Sequence, residues 1–229
     1  MEPSPPPASP AHALHAQLVT AKVGAQPGTG GLVWGGTKAG LSLLDYLAAE
    51  RAGGLAGARV LSLGCGLGAL ELVCAGLGAA VLATDLPAVR PLFAANAACN
   101  AALLAREAAR GGGALRFEEL DWCAAALPAA VRAAGPFDYV LASDCVYWPE
   151  LFAPLAATMG ALAAAQAPAP LHFFLLIEPR TPRELDFLAA LQDAGFALSR
   201  LDERHSQLLA GAVSSCSAIF CAHKPCEGS

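Results

Sequence analysis

Charge is scarce in this chain. Asp, Glu, Lys and Arg make up 14% of its 229 residues, and 14 basic side chains face 19 acidic ones for a net charge of −5. A general nucleic-acid binder needs a basic face, so no nucleic-acid partner is expected. Paired cysteines are also lacking. Cys65, Cys74, Cys99, Cys123, Cys145, Cys216, Cys221 and Cys226 include no C-x-x-C, and His12, His15, His172, His205 and His223 are scattered. Zinc ligands come closely paired in sequence or gathered by the fold. No metal is therefore expected, even at the evenly spaced Cys216, Cys221 and Cys226; these read as thiols in a reducing, cytoplasmic setting. A basic leader is missing too: the chain opens Met1-Glu2-Pro3, and no arginine precedes Arg51. That fits neither a signal peptide nor a transit peptide. A clean membrane span is the last absence. Leu151 to Ile177 is uncharged and long enough, but Pro154, Pro168 and Pro170 break it and Gln166 and His172 interrupt it. It reads as a buried helix, a turn and a strand of a soluble protein.

Apolar residues are plentiful at 55%. The mean hydropathy of +0.49 is inflated by alanine, yet disorder is excluded. At this length a single domain buries roughly 70% of its unfolded surface without staples. Residues 1–25 read as a flexible Pro/Ala tail and 26–225 as the folded domain. Thr37 followed by Leu41, Leu44 and Leu47 predicts an amphipathic helix. Strands are predicted at Arg59–Leu63, Ala80–Thr84, Leu115–Leu120, Tyr139–Ala142, Leu171–Ile177, Ala197–Leu201 and Ser217–Cys221. The first five alternate with helical stretches, as in a parallel sheet covered on both faces. A monomer is expected.

The loop Leu63-Gly64-Cys65-Gly66-Leu67-Gly68 follows the first strand and opens a helix. Glycines there admit close backbone approach, and a helix N-terminus offers free N–H groups. Asp85 ends the second strand, where a carboxylate can accept from both hydroxyls of a ribose; a helix cap before Pro87 is the alternative. Together these point to a nucleotide-type cofactor. Gly64-x-Gly66-x-x-Ala69 also satisfies the looser dinucleotide fingerprint, so an NAD(P)-binding reductase stays open. Against it, a whole helix and a Trp-containing loop precede the first strand, and no second domain is evident. Asp144 follows the fourth strand, where ligands bind in open parallel sheets. It either orients an incoming amine, with Tyr147 walling the entry, or caps a helix near Pro149. Glu178-Pro179-Arg180 ends the fifth strand and is a further substrate-contact candidate.

These segments resemble a known group. Leu32-Val33-Trp34, the glycine loop, Ala83-Thr84-Asp85, Leu120-Asp121-Trp122 and Phe137 to Tyr147 with its Asp144-x-x-Tyr147 are similar to class I, seven-β-strand methyltransferases using S-adenosylmethionine. Within them the chain resembles methyltransferase family 16, the methyltransferase-like 21 group of mostly protein-lysine methyltransferases. The resemblance implies a Rossmann-like α/β fold: a seven-stranded, mostly parallel sheet whose last strand is antiparallel. It implies that Trp34, Gly64, Cys65 and Gly66 line the methionine and ribose part of the site. Asp85 would hold the ribose, Trp122 would pack by the adenine and Ser143 would lie at the cofactor. Aromatic faces also suit a sulfonium cation. Asp144 and Tyr147 would serve the acceptor, a lysine of a protein substrate. Two positions depart from the pattern: Gly35-Gly36-Thr37 where an acid commonly follows the tryptophan, and Cys123 where glycine commonly follows Trp122. The first puts acceptor choice in question, and arginine or a small molecule remains an alternative, as does a catalytically silent binding module.

Overall fold

The structure, a computed structural model, describes residues 9–18, 36–111, 113–178, 184–202, 209 and 218–224. Seven short runs of β-branched, leucine and aromatic residues extend into one sheet: β1 Arg59–Leu63, β2 Ala80–Asp85, β3 Ala114–Glu119, β4 Tyr139–Ser143, β5 His172–Ile177, β6 Ala197–Leu201 and β7 Ala218–His223. Their order is β3-β2-β1-β4-β5-β7-β6. The pairs from β3 to β5 are parallel, while β7 inserts antiparallel between β5 and β6. All seven predicted strands are present, with ends shifted by no more than two residues.

Alternate residues of each strand enter opposite cores, as the period of two requires. Leu61, Leu63, Val140, Phe173 and Leu175 pack toward α6 Ala129–Ala134, α7 Phe152–Gln166 and α8 Glu184–Asp193. Val60, Val81, Leu141, Phe174 and Leu176 pack toward α1 Pro10–His15, α2 Gly36–Glu50 and α3 Ala69–Gly76. The helix predicted from Leu41, Leu44 and Leu47 is α2, and all three are buried. Two further helices, α4 Arg90–Cys99 and α5 Ala101–Ala108, connect β2 to β3. The uncharged run from Leu151 divides into α7, a turn and β5. Among the described residues no single helix is long and apolar enough to cross a membrane.

Residues 9–18 correct the expectation of a flexible tail, because they form α1 and its flanks against α2 and α3. The cause is Asp45 on α2, only 6% exposed. Its carboxylate accepts the Ala11 N–H at 2.9 Å and the Ser9 hydroxyl at 2.5 Å, and it lies 3.3 Å from His12 Nδ1. An acid at a helix start satisfies free N–H groups and the helix dipole. Composition alone cannot reveal a partner that arrives from 34 residues away.

Strand register sets the position of everything that follows. Leu63 pairs with Thr84 on one side and Ala142 on the other. The carboxyl ends of β1, β2 and β4 are therefore level, and Gly64, Asp85 and Ser143 stand along one edge. Chain direction around the sheet reverses between β1 and β4, which opens a crevice there.

Candidate active site

The glycine loop is pinned from below. Both the Gly64 and Cys65 N–H groups donate to Thr84 O, at 2.9 and 3.0 Å, and the Gly68 N–H closes a turn onto Cys65 O at 2.9 Å. Gly64 has φ 69°, and a Cβ there would stand 2.8 Å from Cys145 Sγ and 3.3 Å from the Trp122 ring. Gly68 has φ 77°, and its Cβ would meet the Phe93 ring at 2.5 Å. Conformation and space both demand glycine at these two positions. The loop ends at the N-terminus of α3, and Asn96 of α4 donates its amide to Leu67 O at 3.0 Å.

Asp85 is tied into that loop. One carboxylate oxygen accepts the Gly66 N–H at 2.8 Å and the other the Leu86 N–H at 2.7 Å. The alternative of a helix cap does not describe it: Leu86 caps the 3-10 turn Pro87–Val89, without a side-chain bond. Burial pushes the Asp85 carboxyl up, opposed by the two backbone N–H bonds. Each oxygen retains a second lone pair for another donor. Trp122 lies half-buried with its ring edge over Gly64. Beneath, Cys145 Sγ donates to Leu63 O at 3.0 Å. Burial holds the Cys65 and Cys145 thiols well above the usual range, so both are inert as nucleophiles.

Across the crevice, Ser143 ends β4 and Asp144 follows with φ 53°, the single non-glycine residue at positive φ among those described. Its N–H donates to Leu176 O of β5 at 2.9 Å, and the residue is 9% exposed. The N-cap position of the 3-10 turn Pro149–Leu151 is held by Trp148, four residues further on. Tyr147 meets Trp148 edge to face at 4.9 Å, and Trp148 is 49% exposed. Glu178 stands just past the end of β5. Trp34, Pro179 and Arg180 lie outside the described residues.

The edge thus gathers Gly64, Cys65, Gly66, Asp85, Trp122, Ser143 and Asp144, with Tyr147 three residues further along the chain. Sequence reasoning missed four residues that hold it: Glu71, Phe93, Asn96 and Cys145. Glu71 left a legible signal, an acid inside the apolar run Ala69-Leu70-Glu71-Leu72-Val73. The other three have none, because their contacts are made across the fold.

A seven-stranded sheet in this order, with β7 reversed and a glycine loop after β1, is the fold of S-adenosylmethionine-dependent methyltransferases. Magnesium protoporphyrin IX methyltransferase of Synechocystis PCC 6803, solved with that cofactor bound, shares it with a TM-score of 0.51 and 21% identity, over 83% of this chain and 80% of that one. The rRNA methyltransferase aviRa of Streptomyces viridochromogenes shares it with a TM-score of 0.54 and 19% identity, over 87% and 88%. The family model of lysine methyltransferases matches residues 15–194, and the chain belongs to that family. It is an S-adenosylmethionine-dependent methyltransferase, which decides against the NAD(P)-binding reductase that the glycine fingerprint had left open.

Proposed function

We propose that the protein methylates a lysine side chain of a protein substrate. The observation that carries this reading is Asp144. A buried carboxylate residue held in the left-handed region costs of order 1–3 kcal/mol, and such strain gathers at functional sites. It stands at the carboxyl end of β4, beside the strand where the chain direction reverses, and the family's printed description as lysine methyltransferases supports the acceptor.

The residues of the edge fit the cofactor. Asp85 presents carboxylate oxygens for the ribose hydroxyls, Gly64 to Gly66 allow close backbone approach, and Trp122 offers an aromatic wall for adenine. Ser143, Cys65 and, by the family resemblance, Trp34 complete the cradle. When bound, S-adenosylmethionine supplies an electrophilic methyl group on a cationic sulfur. The chain's own residues do the rest. Asp144 accepts hydrogen bonds from the incoming amine and aligns it, and Tyr147 narrows the entry. A partly desolvated channel favours the neutral amine, which alone carries a lone pair. Position is then the main catalytic contribution, and the acceptor's proton leaves to water. The free thiols of the described cysteines suit a reducing cytoplasm.

The test is methylation of cell extract with tritiated cofactor, with mass spectrometry of the labelled band. Label on a lysine supports the reading; label on arginine or on small molecules alone sinks it. Asp144→Asn, which preserves size, should keep melting temperature and cofactor affinity. Its turnover should fall on the order of a hundredfold, about 2.7 kcal/mol of transition-state stabilisation. Wild-type turnover in that variant removes Asp144 from the acceptor site.

A further inference from the structure

Behind the glycine loop lies a carboxyl that the roles above leave unused. Glu71, in the first turn of α3, is 3% exposed. Its Oε1 accepts the hydroxyl of Ser62 at 2.5 Å. Ser62 stands on β1 two residues before Gly64, and its carbonyl accepts the Thr84 hydroxyl at 2.6 Å. The carboxyl is thus clamped between the strand that enters the loop and the helix that leaves it.

Among the described residues, the groups that act on Glu71 electrostatically bring no countercharge. Asp85 raises its proton affinity, and the thiols of Cys65, Cys74 and Cys145 sense its charge. The elements packed on α3 bring His12 and His15 on α1, Lys38, Asp45, Tyr46 and Glu50 on α2, Arg106 and Glu107 on α5, Asp85 on β2, and Arg116, Glu118 and Glu119 on β3. Among the described residues none of these is hydrogen-bonded or ion-paired to Glu71. Burial pushes the carboxyl up to about 7, while the Ser62 hydroxyl and its own N–H pull it down. An enclosed carboxylate without a cation is costly. A cation settling on the loop reverses that balance.

We propose that Glu71 is the buried counter-charge for the cationic end of S-adenosylmethionine, positioned by Ser62, and that it favours the sulfonium cofactor over its neutral thioether product. As the cofactor binds, the Glu71 carboxyl gives up its proton to solvent. After methyl transfer the sulfur is uncharged, Glu71 regains a proton from solvent, and the product is held less tightly. The inference rests on the cofactor and is independent of the acceptor.

Isothermal titration calorimetry on the full chain tests it, with S-adenosylmethionine and S-adenosylhomocysteine at pH 6, 7 and 8. Two buffers of different ionisation enthalpy at each pH count the protons. For the wild type, cofactor binding should release a proton fraction approaching one at pH 6, about half at pH 7 and little at pH 8, with affinity rising up to about tenfold per pH unit below pH 7. The product should release much less. Glu71→Gln should abolish the release above pH 6 and shrink the preference for cofactor over product about tenfold. Ser62→Ala keeps the carboxyl but removes the bond that favours its charged form, so the midpoint should move to higher pH. That shift is the measurement to rely on if Glu71→Gln does not fold. Equal proton release in wild type and Glu71→Gln overturns the proposal, as does an unmoved midpoint in Ser62→Ala. A wild-type chain that binds neither ligand overturns it together with the cofactor assignment.

Discussion

The two sides of the crevice are built by different means. On the β1–β2 side, backbone does most of the holding: Thr84 O takes two N–H groups of the loop, and Asp85 takes those of Gly66 and Leu86. On the β4–β5 side, side chains at strand ends define the edge, and large apolar surface is left open at Trp148 and Leu185, 49% and 53% exposed, against Leu86 at 49% on the first side. The first side suits an invariant ligand that is always the same molecule. The second suits a variable one, because changing a few exposed side chains alters what docks without disturbing the sheet.

The largest effect should come from breaking the backbone-built side. Gly68→Ala forces a left-handed alanine and drives its Cβ into Phe93. The loss should be roughly 2–5 kcal/mol of stability, read by denaturant unfolding, with cofactor binding impaired in parallel. A variant as stable as wild type would show that the loop can relax.

Next in size is a pH effect centred on Glu71. Its carboxyl sits at about 7 in the folded chain against an ordinary 4.5, so the folded state binds the proton more tightly than the unfolded one. The stability this provides is complete below pH 4.5 and disappears as pH rises through 7. Between pH 5 and 8 the unliganded wild type should lose roughly 2–3 kcal/mol more than Glu71→Gln. Parallel pH profiles for the two proteins would contradict the burial seen here.

Asp85→Ala sharpens the comparison from within the cradle. Cofactor affinity should weaken by roughly 1.5–3 kcal/mol, the scale for a lost charged hydrogen-bond partner, part of it through the freed Gly66 N–H. Unchanged affinity in a folded variant would remove Asp85 from the site. The smallest structural effect belongs to the open rim. Trp148→Ala should alter stability by no more than about 0.5 kcal/mol and leave cofactor affinity alone, yet raise the KM for a protein acceptor several-fold. An unaltered KM would place acceptor docking elsewhere.

Much of the cradle could be read beforehand because its chemistry is local. Glycines needed for left-handed turns, an acid at a strand end and a period-two apolar run are each spelled by a few adjacent residues. Even there the structure adds a role for Asp85: its bonds to Gly66 and Leu86 make it a brace for the loop. Residues 9–18 are the opposite case. Their proline and alanine suggest flexibility, and only the buried Asp45 shows why they pack.

Sequence alone determined the seven strands, the helix over Leu41 to Leu47, the glycine loop and the acids that end two strands. These follow from local propensity, spacing and steric demand, which a short stretch of chain carries in itself. Tertiary structure alone decided that Glu71 and Ser62 meet behind the loop, that Phe93 and Cys145 leave no room for a Cβ, and that Asp144 adopts a strained backbone between β4 and β5. Each depends on atoms brought together by sheet register and helix packing, so no residue spells it by itself.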